Sequence, residues 1–243
     1  MFHGEHLIQD RNQDSEQDSE QDPEQVLEAT RTTLADGLEA LRLHPGHAST
    51  EKLAQLAVLL ADWAPKMNLT GHRGPDVIAR RLILDAVALI NVLPDFDSLA
   101  DLGSGAGFPG LPIAILYPDR RLVSVEARAK RVSFQRTVVR KLGLENVEII
   151  QSRIEDVEPV VCQAAVAQAV VPPDQIADLL LPWCRSDGWI AAPGTPESLA
   201  ELPPKTAGTE LGEIRRYQVP LAGADRRVWL TRPTAPNPAP NTD

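Results

Sequence analysis

The chain has 243 residues, enough for one ordinary domain with extensions or a domain plus a small second one. Apolar residues make up 43% and charged residues 24%, which excludes a wholly disordered protein. The formal net charge of −10 is unevenly spread: residues 1–25 hold eight acids against Arg11 alone, and the remaining body is close to balanced at −3.

The first ten residues lack the basic start and apolar run of a secretory signal. No stretch approaches the roughly 20 uncharged apolar residues of a membrane-spanning helix, so no membrane partner is expected. With only Cys162 and Cys184 there is neither a disulfide framework nor a four-cysteine metal cluster. A cytoplasmic location, no metal and a monomer are expected.

Residues 1–22 repeat Asp-Ser-Glu-Gln at 14–17 and 18–21 and read as a disordered acidic tail, since they can bury too little to offset chain entropy. A helical cap is expected over 23–94. Asp22 is a good N-cap, Pro23 suits the first turn, and Val26, Thr30, Leu34, Leu38 and Leu41 recur at helical spacing. His44-Pro45-Gly46 stops that helix, and His44 and His47 flank a loop rather than a metal. Thr50 is expected to cap a second helix with Leu53, Leu56, Leu59, Leu60 and Trp63 on one face. A third is expected over 75–92, with Ile78, Leu82, Asp85 and Leu89 in line. Asn68 is expected to cap or orient the segment between the last two.

Over 95–232 short apolar strands alternate with amphipathic helices. Strands are expected at 99–102, 122–125, 147–150, 164–166, 189–192, 214–219 and 228–230, with helices at 111–116, 130–142 and 175–181. This alternation argues an α/β fold with a mostly parallel sheet and helices on both faces, closed by an antiparallel hairpin at its edge. Cys162, Trp183, Cys184 and Trp189 sit in apolar runs and are expected in the core. A Pro-rich tail is expected over 233–243.

The strand at 99–102 runs into Asp101-Leu102-Gly103-Ser104-Gly105-Ala106-Gly107-Phe108-Pro109-Gly110. Four glycines in eight residues exceed what a bare tight turn needs, and they let a ligand approach the backbone at the strand edge. Two ligands compete. Gly105-x-Gly107-x-x-Gly110 fits a dinucleotide turn and suggests a nicotinamide-dependent oxidoreductase. Asp101-x-Gly103-x-Gly105-x-Gly107 suits S-adenosylmethionine, whose ammonium and sulfonium tolerate a nearby carboxylate that phosphates would not. Glu126, ending the next strand, can accept hydrogen bonds from ribose hydroxyls.

Between 120 and 141 the chain holds eight basic groups against Glu126 alone. This run reads either as a solvated helix face or as a site for RNA phosphates. The phosphate candidates are Arg120, Arg121, Lys130, Arg131, Arg136 and Arg140, with Arg226 and Arg227 on the late hairpin. Aromatics are only 4%, so stacking on an exposed aromatic platform has little support.

From about residue 63 to 232 the chain resembles the bacterial small-subunit (16S) rRNA guanine-N7 methyltransferases, methyltransferase G, also called glucose-inhibited division protein B. The resemblance is carried by Asn68-Leu69-Thr70, by Arg81 with Asp85, by 101–110 followed by Leu111-Pro112, and by Lys130-Arg131 with Phe134. It continues through Leu142-Gly143-Leu144-Glu145-Asn146-Val147 and Gln151-Ser152-Arg153-Ile154-Glu155. It implies a Rossmann-like class I methyltransferase fold with a seven-stranded sheet, S-adenosylmethionine as methyl donor, and small-subunit rRNA or the 30S particle as partner. On it, Gly103, Gly105, Phe108, Glu126, Ile154 and Glu155 would bind the donor, and the reading of the glycine turn adds Asp101 and Gly107 to that set. Arg81, Lys130, Arg131, Arg136 and Arg226 would meet the RNA. No side chain is needed as a general base, because guanine N7 carries a lone pair and no proton. The chain departs from the family at three positions: Leu82 in place of His, Gln168 in place of Arg, and Pro193 in place of Lys. A diverged paralogue with lost or retargeted activity is therefore the alternative.

Overall fold

The computed structural model describes residues 22–199 and 206–234. The acidic repeat and all but two residues of the expected Pro-rich tail lie outside these. Pro233 bridges to Thr209 and the Thr234 N–H donates to Gly208 O at 2.9 Å, so those two belong to the folded body.

Helix α1 (Pro23–Ala40) starts as expected, with Asp22 accepting the Glu24 N–H at 3.1 Å. Helix α2 (His47–Met67) corrects the expected cap. Its N-cap is Gly46, and Thr50 lies one turn inside with its hydroxyl on Gly46 O. The Pro45-Gly46 break lets the helix begin immediately after the glycine. Asn68 closes α2 in the left-handed conformation. The third expected helix is one run with a change of winding: α3 (Pro75–Ile78), a π-helical turn Ala79–Ile83, and α4 (Leu84–Ile90).

The sheet comprises β1 (Ser98–Leu102), β2 (Arg121–Val125), β3 (Val147–Ile150), β4 (Cys162–Ala167), β5 (Cys184–Gly194), β6 (Glu213–Val219) and β7 (Ala224–Thr231). Its order is β3-β2-β1-β4-β5-β7-β6. The first five are parallel, and β7 runs antiparallel to both β5 and β6, which makes the expected edge hairpin. Helices α5 (Gly110–Leu116), α6 (Ala129–Leu142) and α7 (Ile176–Leu180) supply the crossovers. β5 starts five residues earlier than its apolar pattern suggests, because that end carries the polar residues Arg185, Ser186 and Asp187, the last two exposed, with Arg185 paired to Asp187.

The strands bury alternate residues on two faces. Leu99, Leu122, Ala164, Val166, Trp189, Ala191, Val228 and Leu230 pack into the core shared with α1, α2, α4, α5 and α6. Ala100, Val123, Val125, Ala165, Ala167, Ile190, Ala192 and Trp229 pack with α7 and its flanking turns. The helical cap thus shares a continuous core with one face of the sheet. Cys162, Trp183, Cys184 and Trp189 are all buried, as expected. Among the described residues no helix is long and apolar enough to cross a membrane.

Candidate functional site

Because β1, β2, β3 and β4 are parallel and in register, their C-terminal ends meet at one edge: Leu102 is level with Val125 and with Ala167, and Val125 with Ile150. The chain leaves all four strands there. An open cleft of about 830 Å³ lies along that edge. Its floor is the glycine turn at Gly103, Ser104, Gly105, Ala106 and Phe108. One wall is Glu126, Ala127, Arg128 and Arg131. The other walls come from Ser152–Glu155, from Gln168–Val171, and from Leu69, Thr70 and Leu82 of the cap. The π-helical turn carries Leu82 to the cleft, an irregularity of a kind frequent at functional sites.

The glycine turn is held from behind. The N–H groups of Gly103 and Ser104 donate to Val125 O at 2.8 and 3.1 Å, and those of Gly107 and Phe108 to Ser104 O at 2.8 and 2.9 Å. Gly105 has φ 61°, and a Cβ built there would meet only Arg131 Nη1 at 3.8 Å, so the space above it is open to a ligand. Glu126 is nearly buried, and the backbone aims it. Its Oε2 accepts the Gly105 N–H at 2.9 Å and its Oε1 the Arg128 N–H at 2.8 Å. Arg131 Nη1 is 3.3 Å from Oε2. A carboxylate with these partners retains acceptor capacity for a ligand hydroxyl.

Of the residues expected to hold the donor, Gly103, Gly105, Phe108, Glu126, Ile154 and Glu155 line the cleft. Asp101 and Gly107 do not, which corrects their expected position. Asp101 is fully buried under the turn and accepts the Gly110 N–H at 2.9 Å, so it anchors the start of α5 instead of facing a ligand. Burial pushes its carboxyl up to about 7, the Gly110 bond acts against that, and repulsion from Glu126 adds to it. Gly107 is packed under the turn, where a Cβ would strike Leu111 Cδ1 at 2.3 Å.

Of the residues expected to meet RNA, only Arg131 lines the cleft. Arg81, Lys130 and Arg136 are exposed outside its wall. Arg226 is not free: its Nε is 3.0 Å from Asp85 Oδ2, and Tyr217 donates to Asp85 Oδ1 at 3.1 Å, which together pin the hairpin to α4. Arg120 pairs with Asp95 and lies over Phe96 and Tyr117, and Arg121 pairs with Glu148, so both are structural. Among the described residues no group of His, Cys, Asp and Glu is arranged to hold a metal ion.

Sequence reasoning missed the buried polar network behind the turn. Gln135 Nε2 donates to Ser104 Oγ and to Gly105 O, both at 2.8 Å. Ser124 donates to Gln135 Oε1 at 2.6 Å and lies 2.7 Å from Ser104 Oγ. The signal was present: Gln135 falls three residues after Val132 and three before Val138, on the apolar stripe of α6, and Ser124 interrupts an apolar strand.

Residues 49–229 match the GidB family, described as rRNA small subunit methyltransferase G. The chain is 33% identical over 209 residues to the ribosomal RNA small subunit methyltransferase G of Aromatoleum aromaticum, covering 82% of this chain and 96% of that one. It is 34% identical over 207 residues to the protein of the same name from Chromohalobacter salexigens, covering 84% and 98%. In fold it is similar to a solved structure of a candidate O-methyltransferase from Klebsiella pneumoniae, at TM-score 0.52 and 14% identity, covering 85% of this chain and all of that one.

Proposed function

Because the chain belongs to the GidB family of small-subunit rRNA methyltransferases G, we propose that it transfers the methyl group of S-adenosylmethionine to N7 of a guanine in small-subunit (16S) rRNA. One observation carries the reading. The glycine turn, Glu126 and the Ile154-Glu155 pair, far apart in sequence, converge on one cleft at the carboxyl edge of the sheet.

The residues fit the donor. Gly105 leaves its space open, and the backbone-aimed Glu126 carboxylate suits a ribose. Phe108 and Ile154 supply apolar wall, and Glu126 and Glu155 supply negative charge suited to a cationic ligand. When bound, the donor supplies a methyl carbon made electrophilic by its sulfonium. The chain has to orient that methyl toward N7 and keep water out, and most of the acceleration comes from this alignment. It needs no general base, since N7 has a lone pair and no proton.

For the RNA, the exposed side of α6 carries Lys130, Arg136, Arg140 and Lys141, and none of them is in a salt bridge among the described residues. Such a row supports phosphate binding. We place the protein in the cytoplasm, acting as a monomer on small-subunit rRNA or the 30S particle. The family match leaves the nicotinamide-dependent reading without support.

A second reading, a paralogue that binds the donor without this transfer, is favoured by Leu82, Gln168 and Pro193, neutral residues at the three departures from the family. Purified protein, labelled donor and small subunits lacking the modification separate the two. Label at a guanine N7 supports the enzyme. Tight donor binding without transfer supports the paralogue.

A further inference from the structure

Beyond the donor cleft a second cavity of about 330 Å³ opens at the same edge, over the ends of β4 and β5. The two cavities share Gln168, Ala169 and Val171. The walls of the second are mostly carbon, from Ala167, Ile176, Ala192, Pro193 and Leu199. Its size lies at the lower end of small-ligand sites, about 300–1,000 Å³. At the junction Ala169 holds φ 53°, an uncommon conformation for a residue with a Cβ. Gln168 beside it is exposed and makes no hydrogen bond among the described residues.

A third cavity, about 420 Å³, adjoins the second through Arg226 and is lined by Arg216 and Arg227. These two arginines are directly opposite in the β6–β7 ladder, and neither is in a salt bridge among the described residues. Like charges facing across a ladder destabilise it; Glu197 offsets part of the charge on Arg227 and Asp225 also lines the cavity, and an anion bridging the two arginines would relieve the rest. Arg226 is neutralised by Asp85 and plays no such part.

Resting on the guanine-N7 reading above, we propose that the second cavity receives the acceptor guanine, that Gln168 recognises the base at the junction, and that Arg216 and Arg227 hold an adjacent phosphate of the RNA. The three cavities then take, in order, donor, base and backbone. Guanine presents O6 beside N7, and both are acceptors. The Gln168 amide can donate to O6 and leave the N7 lone pair free. In the transfer, that lone pair forms the N–C bond, the C–S bond breaks with its electron pair going to sulfur, and the positive charge passes to the base. No proton moves.

The test uses the full chain and small subunits lacking the modification, with kcat and KM measured for the subunits and donor affinity measured by calorimetry. Gln168→Ala and Gln168→Glu are expected to lower kcat/KM by about tenfold or more, the scale of one lost hydrogen bond to the transition state, with donor affinity unchanged. Gln168 is exposed, so neither change should unfold the protein. The double variant Arg216→Gln/Arg227→Gln is expected to raise KM several-fold, weaken its dependence on salt, and leave kcat and donor affinity as they were. Parental kinetics in Gln168→Ala, or a loss matched by lost donor affinity, overturns the base site. Unchanged KM and salt dependence in the double variant overturns the phosphate site. An active parent with all variants active overturns this inference alone, whereas a parent that transfers no label overturns the function and this site together.

Discussion

Asp101 is a buried carboxylate whose ionisation opposes folding, and replacing it with asparagine makes that opposition measurable. Its carboxyl is fully buried, keeps one hydrogen bond from the Gly110 N–H, and is pushed from 3.8 to about 7. In the unfolded chain it ionises near its ordinary value, so between about pH 4 and pH 7 the native state binds more protons than the unfolded one. Stability from this group therefore falls as pH rises through that window, and the whole deficit is present above it. A displacement of about three pH units at about 1.4 kcal/mol each gives about 4 kcal/mol. Asp101→Asn keeps an oxygen for Gly110 and cannot ionise. Urea denaturation of parent and variant at pH 4 and pH 8 isolates the effect, because every other titrating group is common to both. The stability of Asp101→Asn relative to parent is expected to rise by about 4 kcal/mol between those pH values. A difference that stays constant with pH would refute the assignment of Asp101 as a carboxylate destabilised by burial.

Three further outcomes test the cleft. Gly105→Val, at a positive φ that costs a branched residue about 1–2 kcal/mol, is expected to leave the protein folded and abolish adenosylmethionine binding by calorimetry. Glu126→Ala is expected to weaken the donor by about 1.5–3 kcal/mol, roughly ten- to a hundredfold in Kd, and an unchanged Kd would misplace the ribose. Arg136→Glu with Arg140→Glu on the open side of α6 is expected to weaken binding to small subunits and to lower the log–log salt slope by about 2, with donor affinity unaffected.

Much of the fold was readable because the strands are short, apolar and punctuated, and because α1 and α2 show a strong helical period. What escaped was set by tertiary partners. Gly46 displaced Thr50 as the cap of α2 because the break at Pro45-Gly46 decides where the helix can start. The change of winding at Ala79–Ile83 leaves no mark in an apolar period, since a π turn only shifts the stripe. Among site residues, Glu126 and Gly105 were readable from spacing alone. Asp101 was misjudged because a carboxylate at a strand end reads the same whether it faces a ligand or lies beneath the turn. Only its burial and its hydrogen bond from the Gly110 N–H distinguish the two.

The acceptor side was less legible than the donor side for a related reason. The proposed donor side carries short signals: a glycine turn after β1 and an acid ending the adjacent strand β2. The opposite wall is assembled from Leu82 on a π turn, Gln168 after β4 and Pro193 on β5, single residues with no motif around them. Yet Leu82, Gln168 and Pro193, the three positions at which the resemblance implies a departure, all border the two adjoining cavities. Their clustering in space, invisible along the chain, argues that they form one altered surface. Those three residues are neutral, whereas Arg128 and Arg131 line the donor cleft and Arg216 and Arg227 line the third cavity.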